Sequence, residues 1–162
     1  MELSRPSALD HIGPATSEVT VEATPEELKA VAARLRVVAV HKLRCDYRLR
    51  RIGGTAIEAA GRLRASVTET CVVSLDHFAH KVAEDFVIYF VPAGTEDEDP
   101  EPDTPDQIPF EGAVIDLGEA AVEQLALALD PYPRKPGAAL PDDAATEAPG
   151  PFSALSRLRE TE

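Results

Sequence analysis

Residues 42–67 read KLRCDYRLRRIGGTAIEAAGRLRASV, two alternating runs on either side of a glycine pair. In the first run Leu43, Cys45, Tyr47 and Leu49 fall on one side, and Lys42, Arg44, Asp46, Arg48 and Arg50 fall on the other. That is the period of two required of a half-buried strand. In the second run Ile57, Ala59, Gly61, Leu63, Ala65 and Val67 share one face, while Glu58, Ala60, Arg62, Arg64 and Ser66 share the opposite one. Gly53-Gly54 supplies the backbone freedom of a tight turn between them. The segment is therefore a β-hairpin with one apolar and one arginine-rich face. If the apolar faces line the core, Lys42, Arg44, Arg48, Arg50, Arg62 and Arg64 stand on one solvent surface, with Asp46 and Glu58 as partial neutralisers.

Working outward, residues 18–23 alternate as a short strand and run into Thr24-Pro25-Glu26-Glu27. Thr24 can cap a helix, Pro25 suits its first position, and Glu27 closes a capping box. Leu28, Val31, Ala32 and Leu35 then recur at helical spacing, so this helix runs to about residue 36 and buries one face. Residues 78–91 read as a further strand whose end, 86–91, is a nearly continuous apolar run stopped by Pro92. Such a run predicts a strand covered on both faces.

Asp116 caps a second helix over residues 117–129, with Glu119 three positions on to complete a box. Leu117, Ala121, Val122, Leu125, Ala128 and Leu129 form its apolar stripe, with Glu119 and Glu123 on the far side and Leu127 off the stripe. Pro131, Pro133 and Pro136 stiffen the tail that carries Tyr132, Arg134 and Lys135. The acidic, Pro-broken tract 94–109 reads as a flexible loop, residues 136–150 as a flexible connector, and 151–159 as a short amphipathic helix using Phe152, Leu155 and Leu158. The expected fold is one α+β domain over residues 1–162, a mainly antiparallel β-sheet covered by two principal helices, with the short C-terminal helix added.

Composition sets outer limits. A chain of 162 residues with 44% hydrophobic content can bury one sizeable core. Two cysteines make no disulfide framework. The N-terminus lacks a basic region followed by an apolar run, and no stretch of 18 uncharged apolar residues occurs, so a cytoplasmic protein with no membrane partner is expected. The net charge of −13 hides a segregation. Residues 34–64 hold nine basic side chains against Asp46 and Glu58, whereas residues 96–106 hold seven acidic ones and no basic one.

Chemical motifs are sparse. There is no phosphate-cradling glycine loop and no Ser or Cys nucleophile in a recognisable setting, so the chain reads as no enzyme. Asp10-His11 and Asp76-His77 are sequence neighbours, but catalytic dyads are made by spatial approach. Cys71, His77 and His80 offer three metal ligands at most, and Cys45 is remote in sequence, so neither a metal nor another cofactor is expected.

Three separated blocks carry a resemblance: VTETCVVSLDHF (67–78), IDLGE with EQLALALDPYPRKPG (115–119 and 123–137), and PFSALSRLR (151–159). Together they resemble the YceD family, in the form found in alphaproteobacteria. The resemblance implies a role in accumulation of large-subunit ribosomal RNA and hence in ribosome assembly, and it brings no set of catalytic residues. Many relatives carry Cys-x-x-Cys in the middle block, whereas here Cys71 is followed by Val72, Val73 and Ser74.

Two contact modes follow for such a role. The six cations Lys42, Arg44, Arg48, Arg50, Arg62 and Arg64 could meet RNA phosphates, because a Debye length of about 8 Å keeps distant carboxylates from cancelling a compact basic surface. The same charges could equally serve only to discourage association of exposed strands. With Tyr47 inward the face offers no aromatic platform for bases, so contact would be backbone-directed. Alternatively the acidic residues Glu96, Asp97, Glu98 and Asp99 could shield a basic ribosomal protein, with Tyr132, Arg134 and Lys135 as a further partner-facing set, or could simply keep the chain soluble.

Overall fold

The computed structural model describes residues 2–96 and 104–139. The expected helix over 151–159, and Asp97, Glu98 and Asp99, lie outside the described residues. The hairpin is the centre of the fold. Strand β3 (Ala39–Ile52) pairs antiparallel with β4 (Ala56–Thr70), and the turn closes through Gly53 and Gly54 at φ 56° and 90°, a region that disfavours side chains. Short β2 (Ser17–Glu22) lies antiparallel outside β3, and β5 (His77–Pro92) antiparallel outside β4.

The next strand departs from expectation. Residues Asp106–Phe110 form β6, which joins β5 in parallel, so the five-stranded sheet of order β2-β3-β4-β5-β6 is mixed and the end of the expected acidic loop is a strand. The parallel register sets Asp106 beside Ile88 and Phe110 beside Pro92. A separate two-stranded ribbon pairs β1 (Pro6–Ala8) with β7 (Val114–Asp116).

Helix α1 (Pro25–Leu35) begins as its sequence dictates. Thr24 accepts from the Glu27 N–H, and the Thr24 N–H donates to the Glu27 carboxylate at 2.8 Å. Glu27 is also gripped bidentately by Arg5, at 2.8 Å on both oxygens, and these bonds hold its carboxyl down at about 2. Helix α2 (Leu117–Ala128) is capped by Asp116, which accepts from the Gly118 and Glu119 N–H groups. Glu119 does not return to the cap. Its carboxylate takes Arg34 of α1, which also holds Glu2, because two charge-assisted bonds outweigh one to an amide.

Both helices lie on one face of the sheet, α1 mainly over β3 and α2 over β4. Leu43, Cys45, Tyr47 and Leu49 meet Ile57, Leu63 and Val67 there, with Val31, Val122 and Leu125 from the helices. Tyr47 is buried with its hydroxyl donating to the Leu117 carbonyl at 3.1 Å, and burial pushes up the pKa of both this phenol and the Cys45 thiol, the latter to about 11. The close approach of β5 depends on Gly61, since a Cβ there would stand 2.2 Å from the Phe86 ring. The other sheet face carries no helix among the described residues. The apolar run at 86–91 is therefore not covered on both sides: Ile88 and Phe90 are buried, whereas Val87 remains 43% exposed.

Candidate nucleic-acid interface

The uncovered face is a register of charge across four strands. One row runs Glu22, Arg44, Arg64, Ala83; the next Thr20, Asp46, Arg62, Asp85; the third Glu18, Arg48, Ala60, Val87; and a fourth Arg50, Glu58, Tyr89. Lys42 and Lys81 flank Ser66 at the far end. The hairpin alternation thus brings Lys42, Arg44, Arg48, Arg50, Arg62 and Arg64 to one surface, as the sequence reading requires. It does so because a single inward apolar set on each strand forces the alternate set outward.

Most of these cations already have partners. Arg44 reaches Asp46 at 2.8 Å, and Asp46 also accepts from the Thr20 hydroxyl at 2.7 Å. The Arg44 guanidinium first, and Thr20 second, hold the Asp46 carboxyl below its ordinary range. Arg50 pairs with Glu58 at 2.8 Å, and Asp85 is shared between Arg64 at 3.3 Å and Arg62 at 3.6 Å. Arg44 and Arg64 stand directly opposite one another, a repulsion that the flanking Asp46 and Asp85 relieve. Among the described residues, Lys42, Arg48 and Lys81 form no ion pair.

The face is not flat. Between the rows lies a groove of about 670 Å³, with Ala60 and the backbone of Gly61 in its lining, Arg48 and Val87 to either side, and Glu18, Asp46 and Asp85 around it. The small side chain of Ala60 leaves a hollow where its neighbours on the same face, Arg48, Arg62 and Glu58, carry long ones.

Sequence reasoning missed the β5 contribution. Lys81, Asp85, Val87 and Tyr89 alternate with Val82, Phe86, Ile88 and Phe90, but apolar Val87 and Tyr89 on the open face disguise the period of two. It also missed Glu18, Thr20 and Glu22, which the edge strand β2 adds at the other side.

The remaining candidates sit elsewhere. Tyr132, 70% exposed, belongs to a tail that packs on the turn after β4, where the Val72 N–H donates to the Pro133 carbonyl at 2.9 Å and Lys135 pairs with Asp76 at 3.3 Å. Arg134 lies between those two anchors. Glu96 turns back to accept from the Gly94 N–H at 2.6 Å. Cys71 is buried in the same turn, with the Ser74 N–H donating to its sulfur at 3.4 Å, and Cys45 is in the core. No group of three or more His, Cys, Asp or Glu side chains suited to a metal occurs among the described residues. Asp10 and His11 approach only to 4.0 Å on the open surface.

A family model described as large ribosomal RNA subunit accumulation protein YceD matches residues 59–158. No curated protein and no solved structure matches the chain. The matched span takes in β4, β5 and α2, more than half of the sequence. The chain belongs to the YceD family.

Proposed function

From its membership of the YceD family, we propose that this chain supports accumulation of large-subunit ribosomal RNA, and so ribosome assembly, as a non-enzymatic factor that contacts RNA phosphates through the open face of its sheet. The carrying observation is the convergence of Lys42, Arg44, Arg48, Arg50, Arg62, Arg64 and Lys81 on one uncovered surface, three of them without an ion pair. A cationic patch of this kind attracts polyphosphate locally even though the whole chain carries −13. Such a role belongs where ribosomes are assembled, and no described helix is long and apolar enough to cross a membrane.

The test is binding of the purified chain to fragments of large-subunit ribosomal RNA across a salt series. Three phosphate contacts give a slope of about −2 in log K against log salt, and six give about −4, on the single-strand coefficient. Reversal of Arg48, Arg50, Arg62 and Arg64 to Glu should abolish binding. A chain that binds no fragment at low salt would overturn the proposal and turn attention to Glu96–Asp106 and a basic ribosomal protein, a contact that neutralising those acids would then remove.

A further inference from the structure

The groove beside Arg48 does more than interrupt a charged surface. A platform that only neutralises phosphates would be expected to present an unbroken cationic floor. Here the row Glu18, Arg48, Ala60, Val87 places an unpaired guanidinium next to a methyl group and an exposed valine. The hollow, about 670 Å³, falls in the size range of small-ligand sites, roughly 300 to 1,000 Å³. Its polar rim is mixed, with Glu18, Asp46 and Asp85 set among Arg44, Arg48 and Arg62.

Those features select among forms of RNA. A duplex lays regularly spaced phosphates across a face, and on this face they would meet Arg44, Arg48 and Arg62 interrupted by the carboxylates of Glu18, Asp46 and Asp85. A strand with one splayed nucleotide meets the same surface differently. Its phosphate can rest on Arg48, its base can lie against Ala60 and Val87, and the carboxylates can accept hydrogen bonds from the N–H groups that an unpaired base exposes on its edge. Apolar contact replaces the aromatic stacking that most single-strand readers use.

We infer that the hollow over Ala60 is a binding site for a single unpaired RNA nucleotide, base inserted and phosphate on Arg48. This inference rests on the proposed RNA-contacting role and adds the form of RNA and the place on the face. Ala60 and Val87 fall inside the matched residues 59–158, and Arg48 lies outside them.

The experiment compares a short single-stranded RNA with a blunt RNA duplex carrying the same number of phosphates, using the full chain and an Ala60→Ile variant. Isoleucine suits an outward strand position, raises the floor of the hollow where the base would lie and changes no charge. The wild type should bind the single strand at least about fivefold more tightly, the factor that burying some tens of Å² of apolar base surface supplies. Ala60→Ile should remove that preference while leaving the salt slope unchanged. Val87→Thr, which keeps the shape of the wall and makes it polar, gives the same reading if the isoleucine variant fails to melt cooperatively. Equal binding of strand and duplex by the wild type overturns this inference and leaves the phosphate-contact role standing. A preference that survives in the folded variants also overturns it. Binding of neither RNA overturns both.

Discussion

Gly61→Ala should destabilise the protein by an amount that can be worked from two distances. The new Cβ would lie 2.2 Å from the Phe86 ring, whereas ordinary contact begins near 3.4 Å. The ring must therefore retreat by the difference, about 1.2 Å, a shift beyond what packed interiors absorb freely. It cannot move inward, because Tyr47 meets it edge-on, with centroids 5.9 Å apart, and is itself anchored to the Leu117 carbonyl. Overpacking costs about 1–3 kcal/mol, and loss of the aromatic pair adds about 0.5–1.5 kcal/mol. A total of about 2–4 kcal/mol lowers the melting temperature by roughly 5–15 °C in a domain of this size. Chemical and thermal unfolding of Gly61→Ala, Phe86→Leu and the double variant form the assay. Phe86→Leu shortens the obstructing group, so the double variant should recover at least about 1 kcal/mol relative to additivity. Wild-type stability for Gly61→Ala, or strictly additive effects, would refute the claim that glycine is required there by the approach of β5.

Two further predictions concern the covering layer. Leu125 is fully buried beneath α2, so Leu125→Asp places an unpaired charge in the core at a cost of several kcal/mol, and circular dichroism should find the variant unfolded; a folded variant would show that α2 presents a different face. Glu27, whose carboxyl sits at about 2 in the fold against an ordinary 4.5, stabilises the folded state fully above pH 4.5 and loses that contribution as the pH falls from 4.5 through 2. Glu27→Gln should therefore flatten the acid limb of the stability profile, by up to about 1 kcal/mol for a pair this exposed, and an unchanged acid limb would remove the Arg5–Glu27 pair from the account.

What could be read in the sequence was what local chemistry decides. Period-two alternation and a glycine pair suffice for the hairpin, and Thr24, Pro25 and Glu27 mark the start of α1 within a residue. The start of α2 was half legible: Asp116 caps it, but Glu119 answers to Arg34, eighty-five positions away, and no local rule can see that partner. The same limit explains β6. DQIPF is short and contains Pro109, which offers no backbone donor, so only its parallel seat beside Val91 makes it a strand. The site was legible in its cations and illegible in its carboxylates from outside the hairpin. Asp85 becomes the counter-charge of Arg62 and Arg64 only through the register of β5 on β4, and the groove exists only because Ala60 falls where β3 and β5 bring longer side chains alongside.

The pairing of cations with carboxylates bears on how the proposed contact would behave. Each exposed ion pair that RNA must break is weak because solvent and salt screen it, so the pairs of Arg44, Arg50, Arg62 and Arg64 lower affinity without forbidding it. Lys42, Arg48 and Lys81 can engage phosphate at no such cost. An initial contact through those three would have a shallow salt dependence, and recruitment of the paired arginines would steepen it as the RNA displaces Asp85 and Asp46. That graded response separates this surface from a fully basic one, which would hold RNA tightly from the outset. Under the proposed role, a face whose own carboxylates compete for its arginines would release RNA as well as take it up.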